Sequence, residues 1–155
     1  MKKTGYLLFV VVSMIACTQN PDHRKPSDNQ GIANNAAQKD GVFIHITEGY
    51  NNPHKVLMPM KMAAIMANDK DVMVYMDIQA VELLVKDAKD LTMDGFESFQ
   101  TYLKQLLDSK VGIYACPTCL KIAGFHPEDL MAGVQVAEKD KFFNFTKGKI
   151  ITLDY

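Results

Sequence analysis

A second cysteine pair is missing from this sequence. Only three cysteines occur in 155 residues, at Cys17, Cys116 and Cys119. A structural zinc site takes about four ligands, often as two such pairs, so no metal site is expected. A surplus of charge is missing as well. Lys and Arg number 17 against 18 Asp and Glu, a net charge of -1. Nucleic-acid binders carry a basic face, so no nucleic-acid partner is expected. The apolar run from Leu7 to Ala16 stops short of the roughly 20 residues that span a bilayer. Internal repeats and low-complexity tracts are absent, and no motif calls for a cofactor. What is present is enough chain for one domain with appendages. With 48% hydrophobic residues it can build a real core.

The first residues have the layout of a secretion signal. Lys2 and Lys3 form a basic start, and the apolar run follows. It stops at Met14-Ile15-Ala16-Cys17, which resembles the bacterial lipobox, where a peptidase cuts before a cysteine that is then lipidated. The resemblance implies a signal peptide over 1–16 and lipidation at Cys17. It places the protein in a bacterial cell envelope, anchored to a membrane on the periplasmic or outer-membrane side. Residues 17–40 hold Pro21, Pro26, Gly31 and many polar side chains but almost no large apolar one. Such a stretch cannot offset its ordering entropy by burial, and it reads as a flexible tether.

The folded domain is expected over 41–155. Val42 to Ile46 reads as a strand, and Thr47 to Pro53 as a polar loop. His54 to Asn68 reads as a helix that contains Pro59. Its apolar residues form two stripes, Leu57-Met60-Ala64-Ala67 and Met58-Met62-Ile65-Met66, so two buried faces are expected, one of them against another subunit if the helix is not central. Val72 to Met76 is a second strand ending at Asp77, and Ile78 to Lys86 a helical stretch. Phe96 to Asp108 is an amphipathic helix. Val111 to Ala115, Val134 to Val136 and Ile150 to Leu153 complete the strands, with a short helix from Glu138 to Asn144. Alternating strands and helices predict a parallel sheet covered on both faces. Ligands gather beyond the carboxyl ends of such strands, which collects Thr47, Glu48, Asp77 and Cys116.

Val111 to Gly124 carries the chemistry. The strand ends at Cys116, and Pro117 suits the first helical position, where its missing N–H is not needed. Cys116 is therefore expected at a helix N-cap, with Cys119 one turn along on the same side. Helix-end N–H groups favour a thiolate, which is the reactive form. Gly124 suits the position just past the helix end.

From Gly41 to Tyr155 the pattern resembles the DsrE/DsrF-like family. The residues that carry this are the strand and polar loop from Val42 to Thr47, the apolar helix after them, and Cys116 with Gly124 eight residues on. Ile113-Tyr114-Ala115-Cys116-Pro117-Thr118-Cys119 looks most like the branch called predicted peroxiredoxins, and Glu128 to Val134 resembles the stretch before the family's fourth strand. The resemblance implies a three-layer α/β/α, flavodoxin-like fold with a five-stranded, mainly parallel sheet. It implies homo- or hetero-oligomers, here a homo-oligomer, and a sulfur-accepting role for Cys116. The better-studied members pass persulfide sulfur along a cytoplasmic relay.

Two departures redirect that expectation. Cys119 would attack a persulfide on Cys116, releasing sulfide and leaving a disulfide. The lipobox would hold the domain outside the cytoplasm. The reading is thus an extracytoplasmic sulfur-transfer or thiol-redox protein, with Cys116 as nucleophile and Cys119 as resolving thiol. Its partners would be a sulfur donor or acceptor, or a thiol reductase. Lys121 and His126 are candidates to tune the thiolate, and Thr47, Glu48, Asn51 and Asp77 to line the pocket. Three alternatives stand beside it: a non-catalytic oligomeric binding module, a thioredoxin-like oxidoreductase, and a Cu(I) carrier using Met58, Met60 and Met62.

Overall fold

The computed structural model describes residues 38–155, the side chains of residues 142 and 143 excepted. The expected signal segment, Cys17 and nearly all of the expected tether lie outside the described residues.

Among the described residues five strands and four α-helices follow in order: β1 (Gly41–Ile46), α1 (Pro53–Met66), β2 (Asp71–Met76), α2 (Phe99–Asp108), β3 (Gly112–Ala115), α3 (Pro117–Ile122), β4 (Gln135–Val136), α4 (Lys139–Asn144) and β5 (Ile150–Asp154). Short 3-10 turns occupy Ala80–Leu84 and Pro127–Asp129. The sheet order is β4-β3-β2-β1-β5, and every pairing is parallel. The first four strands thus lie side by side in chain order, and the last returns to the far side of β1.

Strand periodicity divides the sheet into two faces. Val42, Ile44, Ile46, Val74, Met76, Ile113 and Ala115 join one buried cluster with Val56, Leu57, Met60 and Ala63 of α1 and Tyr102, Leu103 and Leu106 of α2. Each such Ile or Leu stabilises the fold by about 1.5–3 kcal/mol relative to exposure. The alternate residues Phe43, His45, Met73, Tyr75 and Tyr114 point to the opposite face and lie outside that cluster. A Cβ on Gly41, which has the same parity, would meet Phe145 and Thr146. The segment after α4 therefore runs over this second face. Right-handed crossovers account for both placements. Steps from β1 to β4 keep their connections on one face, and the return from β4 to β5 uses the other.

Several local expectations shift by a turn. The helix expected over Ile78 to Lys86 is a 3-10 turn instead. Ile78 has a positive φ of 48°, which starts no helix, and Val85 leaves to form an antiparallel bridge with Leu130. The helix expected from Phe96 begins at Phe99 because the Ser98 hydroxyl accepts the Thr101 N–H at 3.3 Å and caps it there. α1 begins at Pro53, its first position, and tolerates a buried Pro59. Its two expected buried faces are unequal. Leu57 and Met60 are fully buried, Met58 and Met62 half-buried, and Ile65 is 56% exposed.

Candidate functional site

β3 and β4 send their chains to opposite faces, which opens the sheet edge beside the end of β3. Cys116 stands there. Its N–H donates to the Met76 carbonyl at 3.0 Å, which ties it to the end of β2. Its φ and ψ of -65° and 121° are extended, Pro117 follows at the first helical position, and its Sγ accepts the Cys119 N–H at 3.4 Å. The cysteine is the cap of its own helix. α3 then ends within two turns. Gly124, at φ 82°, donates to Lys121 O at 3.2 Å, and Phe125 donates to Leu120 O at 2.9 Å. These two bonds form a Schellman closure that needs glycine at the left-handed position.

Both thiols are free and half-buried, and their surroundings pull them in opposite directions. Burial pushes Cys116 up. The Tyr75 hydroxyl, the Cys119 N–H, the Cys119 thiol and the Thr118 N–H donate to it and more than offset burial, so its pKa lies below the ordinary thiol value. Burial also pushes Cys119 up, and its bond to Cys116 adds to this. The Ile78 N–H opposes, while the charges of Cys116 and Asp77 raise it again, so Cys119 ends above the ordinary value. Tyr75 is pushed up as well, by burial first and then by giving its hydroxyl hydrogen to Cys116.

Ile78 supplies its N–H at a cost. A β-branched residue at positive φ is an outlier, and a non-glycine left-handed conformation costs on the order of 1–3 kcal/mol. The strain lies in the turn that brings this backbone donor to Cys119.

Beyond Asp77 lies a second cluster. His45 of β1 sits between two carboxylates, with Nδ1 2.9 Å from Asp154 Oδ1 of β5 and Nε2 3.0 Å from Asp77 Oδ2. The Nε2 contact is close enough for an ion pair but is not aligned as a hydrogen bond, and Asp77 Oδ1 is buried with no hydrogen-bond partner among the described residues. The His45 ring stacks on Tyr75 at 5.4 Å between centroids, and Tyr75 on Phe43 at 6.2 Å. Tyr75 thus links the imidazole to the thiol.

Of the residues singled out in the sequence, Cys116, Cys119 and Asp77 come together. Thr47 lies on the same edge, where its hydroxyl donates to the Tyr155 carbonyl at 3.3 Å and fastens the end of β5. Glu48 and Asn51 pair with each other at 3.1 Å, and Glu48 meets Lys55 at 3.7 Å. They hold their own loop rather than the thiols. Lys121 is exposed on α3. His126 is exposed too, and its N–H bonds Asp129 Oδ2 at 2.8 Å to open a turn. Neither contributes to the shift of either thiol. Tyr75, His45 and Ile78 were not anticipated. For Tyr75 a signal existed, since it shares a strand face with Asp77 as Tyr114 does with Cys116.

Residues 39–149 match the DsrE/DsrF-like family. The chain belongs to that family. DsrE/DsrF-like proteins are generally tied to sulfur relay. No curated protein matches the chain. Two solved structures share the fold of this DsrE-like domain. The ychN protein of E. coli is 19% identical with a TM-score of 0.59, over 75% of this chain and 99% of that one. A protein of unknown function from Methanobacterium thermoautotrophicum is 18% identical with a TM-score of 0.51, over 75% of this chain and 100% of that one.

The Cu(I) reading loses its geometry. Residues two apart on a helix lie on opposite sides, and Met60 is fully buried in the core while Met58 and Met62 are half-buried. The three sulfurs do not share a face.

Proposed function

We propose that this DsrE-like protein is an extracytoplasmic sulfur-transfer or dithiol-exchange protein, in which Cys116 is the attacking thiolate and Cys119 the resolving thiol. One observation carries the reading: two thiols three residues apart at the sheet edge are biased oppositely, Cys116 toward thiolate and Cys119 toward thiol. The thiolate is the nucleophile, so the pair has a built-in order of events. Cys116 attacks a persulfide or disulfide sulfur and expels the donor's other sulfur as a thiolate. Cys119 then attacks Cys116 and expels the sulfur it took up as hydrosulfide or thiolate, which leaves a Cys116–Cys119 disulfide for a thiol reductase to reopen. The lipobox-like Met14 to Cys17 supports anchoring to the envelope membrane through Cys17, with the tether giving reach. Ile122, three residues after Cys119, and Ile78, whose N–H reaches the Cys119 sulfur, are 80% and 60% exposed and supply apolar surface for a donor or acceptor. Half-buried methionines and the exposed Ile65 on α1 supply the face for a homo-oligomer.

Mass spectrometry of the purified chain after exposure to inorganic polysulfide tests the chemistry. The Cys119→Ser chain is expected to hold added sulfur at Cys116. The unaltered chain is expected to lose it as sulfide and form the disulfide. Cys116→Ser is expected to do neither. Equal labelling of Cys116→Ser and the unaltered chain at the pair would defeat the proposal.

A further inference from the structure

We propose that Asp77 accepts the proton that Cys119 must lose before it can resolve Cys116, and that His45 positions Asp77 for this. The inference rests on the resolving role given to Cys119 above. A resolving thiol must be deprotonated at the moment of attack, and Cys119 is held as a thiol by its surroundings. Most of the donors that stabilise a thiolate are spent on Cys116, and the Ile78 N–H alone does not bring Cys119 down to the ordinary value, so the proton on Cys119 needs a specific acceptor. Asp77 is the residue before Ile78, whose N–H lies on the Cys119 sulfur, and the Asp77 charge acts on Cys119 and on Tyr75. Its Oδ1 is buried and has no hydrogen-bond partner among the described residues. A buried acceptor without a donor calls for an explanation, and a proton that arrives only during turnover supplies one. The other oxygen is fixed 3.0 Å from His45 Nε2, and Asp154 holds His45 from β5 at 2.9 Å.

The step balances. With Cys116 joined to a donor sulfur by an S–S bond, Asp77 takes the Cys119 proton and the Cys119 sulfur attacks the Cys116 sulfur. The Cys116–donor bond breaks, and its electron pair leaves on the donor as a thiolate or hydrosulfide. The two cysteines end oxidised and the donor sulfur reduced. The titratable groups around Asp77 are His45 from β1, Tyr75 from β2 and Cys119 from α3; Asp154 of β5 is reached through His45, and Cys116, the cap of α3, through Tyr75 and Cys119. Glu48, Lys121 and His126 are engaged or exposed elsewhere, which leaves Asp77 as the carboxylate in place.

Reaction with 5,5′-dithiobis(2-nitrobenzoate), followed by release of the coloured thiolate, separates the two steps. The full chain is used in a Cys17→Ala background, so that only the pair reports. The first release marks attack by Cys116, and the second marks resolution by Cys119, which Cys119→Ser must abolish. Asp77→Asn is expected to slow the second phase relative to the first by at least about tenfold, since a positioned base is worth roughly a hundredfold or more. It should also move the rise of that phase to higher pH. Asp77→Glu should restore part of it, and His45→Gln should fall between. A second phase in Asp77→Asn with unaltered rate and pH profile would overturn the inference, as would one slowed equally in Asp77→Glu. A chain with native Asp77 that shows no second phase would overturn the resolving role itself, and this inference with it.

Discussion

On β1, Ile44 and Ile46 are fully buried with α1 and α2, while His45 between them turns to the other face and meets Asp77 and Asp154. β2 repeats the pattern, with Val74 and Met76 in the core and Tyr75 and Asp77 toward the thiols. So does β3, with Ile113 and Ala115 inside and Tyr114 leading to Cys116. One parity of the same strands is aliphatic and carries stability. The other, Met73 and the glycines apart, is aromatic and titratable and ends in the site. A parallel sheet presents both sets of side chains in register, so β1 and β2 can anchor a core and aim two polar groups at one edge without extra scaffolding.

Substitutions on the two parities should therefore separate. Ile113→Ala should produce the largest effect, a loss of about 2–5 kcal/mol of stability in urea unfolding, while the order in which the thiols react stays the same in the folded fraction. A loss below about 1 kcal/mol would break the division.

Tyr75→Phe comes next and should act on the opposite property. It removes a hydrogen bond to a thiolate, and bonds to charged groups are worth about 1.5–3 kcal/mol. Alkylation of Cys116 by iodoacetamide at neutral pH should slow several-fold, and its pH midpoint should rise. The same residue predicts an alkaline effect. Its folded pKa lies above the unfolded value of 10.0, so above pH 10 the unfolded chain loses a proton that the folded chain keeps. Stability must fall as pH rises there, and Tyr75→Phe should flatten that fall.

Lys121→Ala and Glu48→Gln should produce the smallest effects, within about 0.5 kcal/mol in stability and with no movement of the Cys116 midpoint. A clear movement with Lys121→Ala would return that lysine to the site.

Much of this was legible in the chain. The five strands, Cys116 as N-cap and Gly124 as helix stop all follow from local rules about β-branched runs, Pro117 and positive φ. The sheet edge followed from alternation alone. What local rules could not supply depends on register between distant segments. His45 reads as one polar residue in an apolar strand until β5 pairs beside β1 and brings Asp154 alongside. Glu48 and Asn51 were credited to the site by their place after β1, but a loop can satisfy its own polar groups first. Ile78 gave no warning, because its conformation is imposed by the turn and disfavoured by its side chain.

The sulfur that reacts is also the sulfur that terminates the α3 backbone. Oxidation or loading at Cys116 removes the negative acceptor from the Cys119 amide, and a cap of this kind is worth on the order of 1 kcal/mol. Turnover and helix fraying thus share one atom. Amide exchange at Cys119 becomes a gauge of the redox state, readable without any substrate in hand.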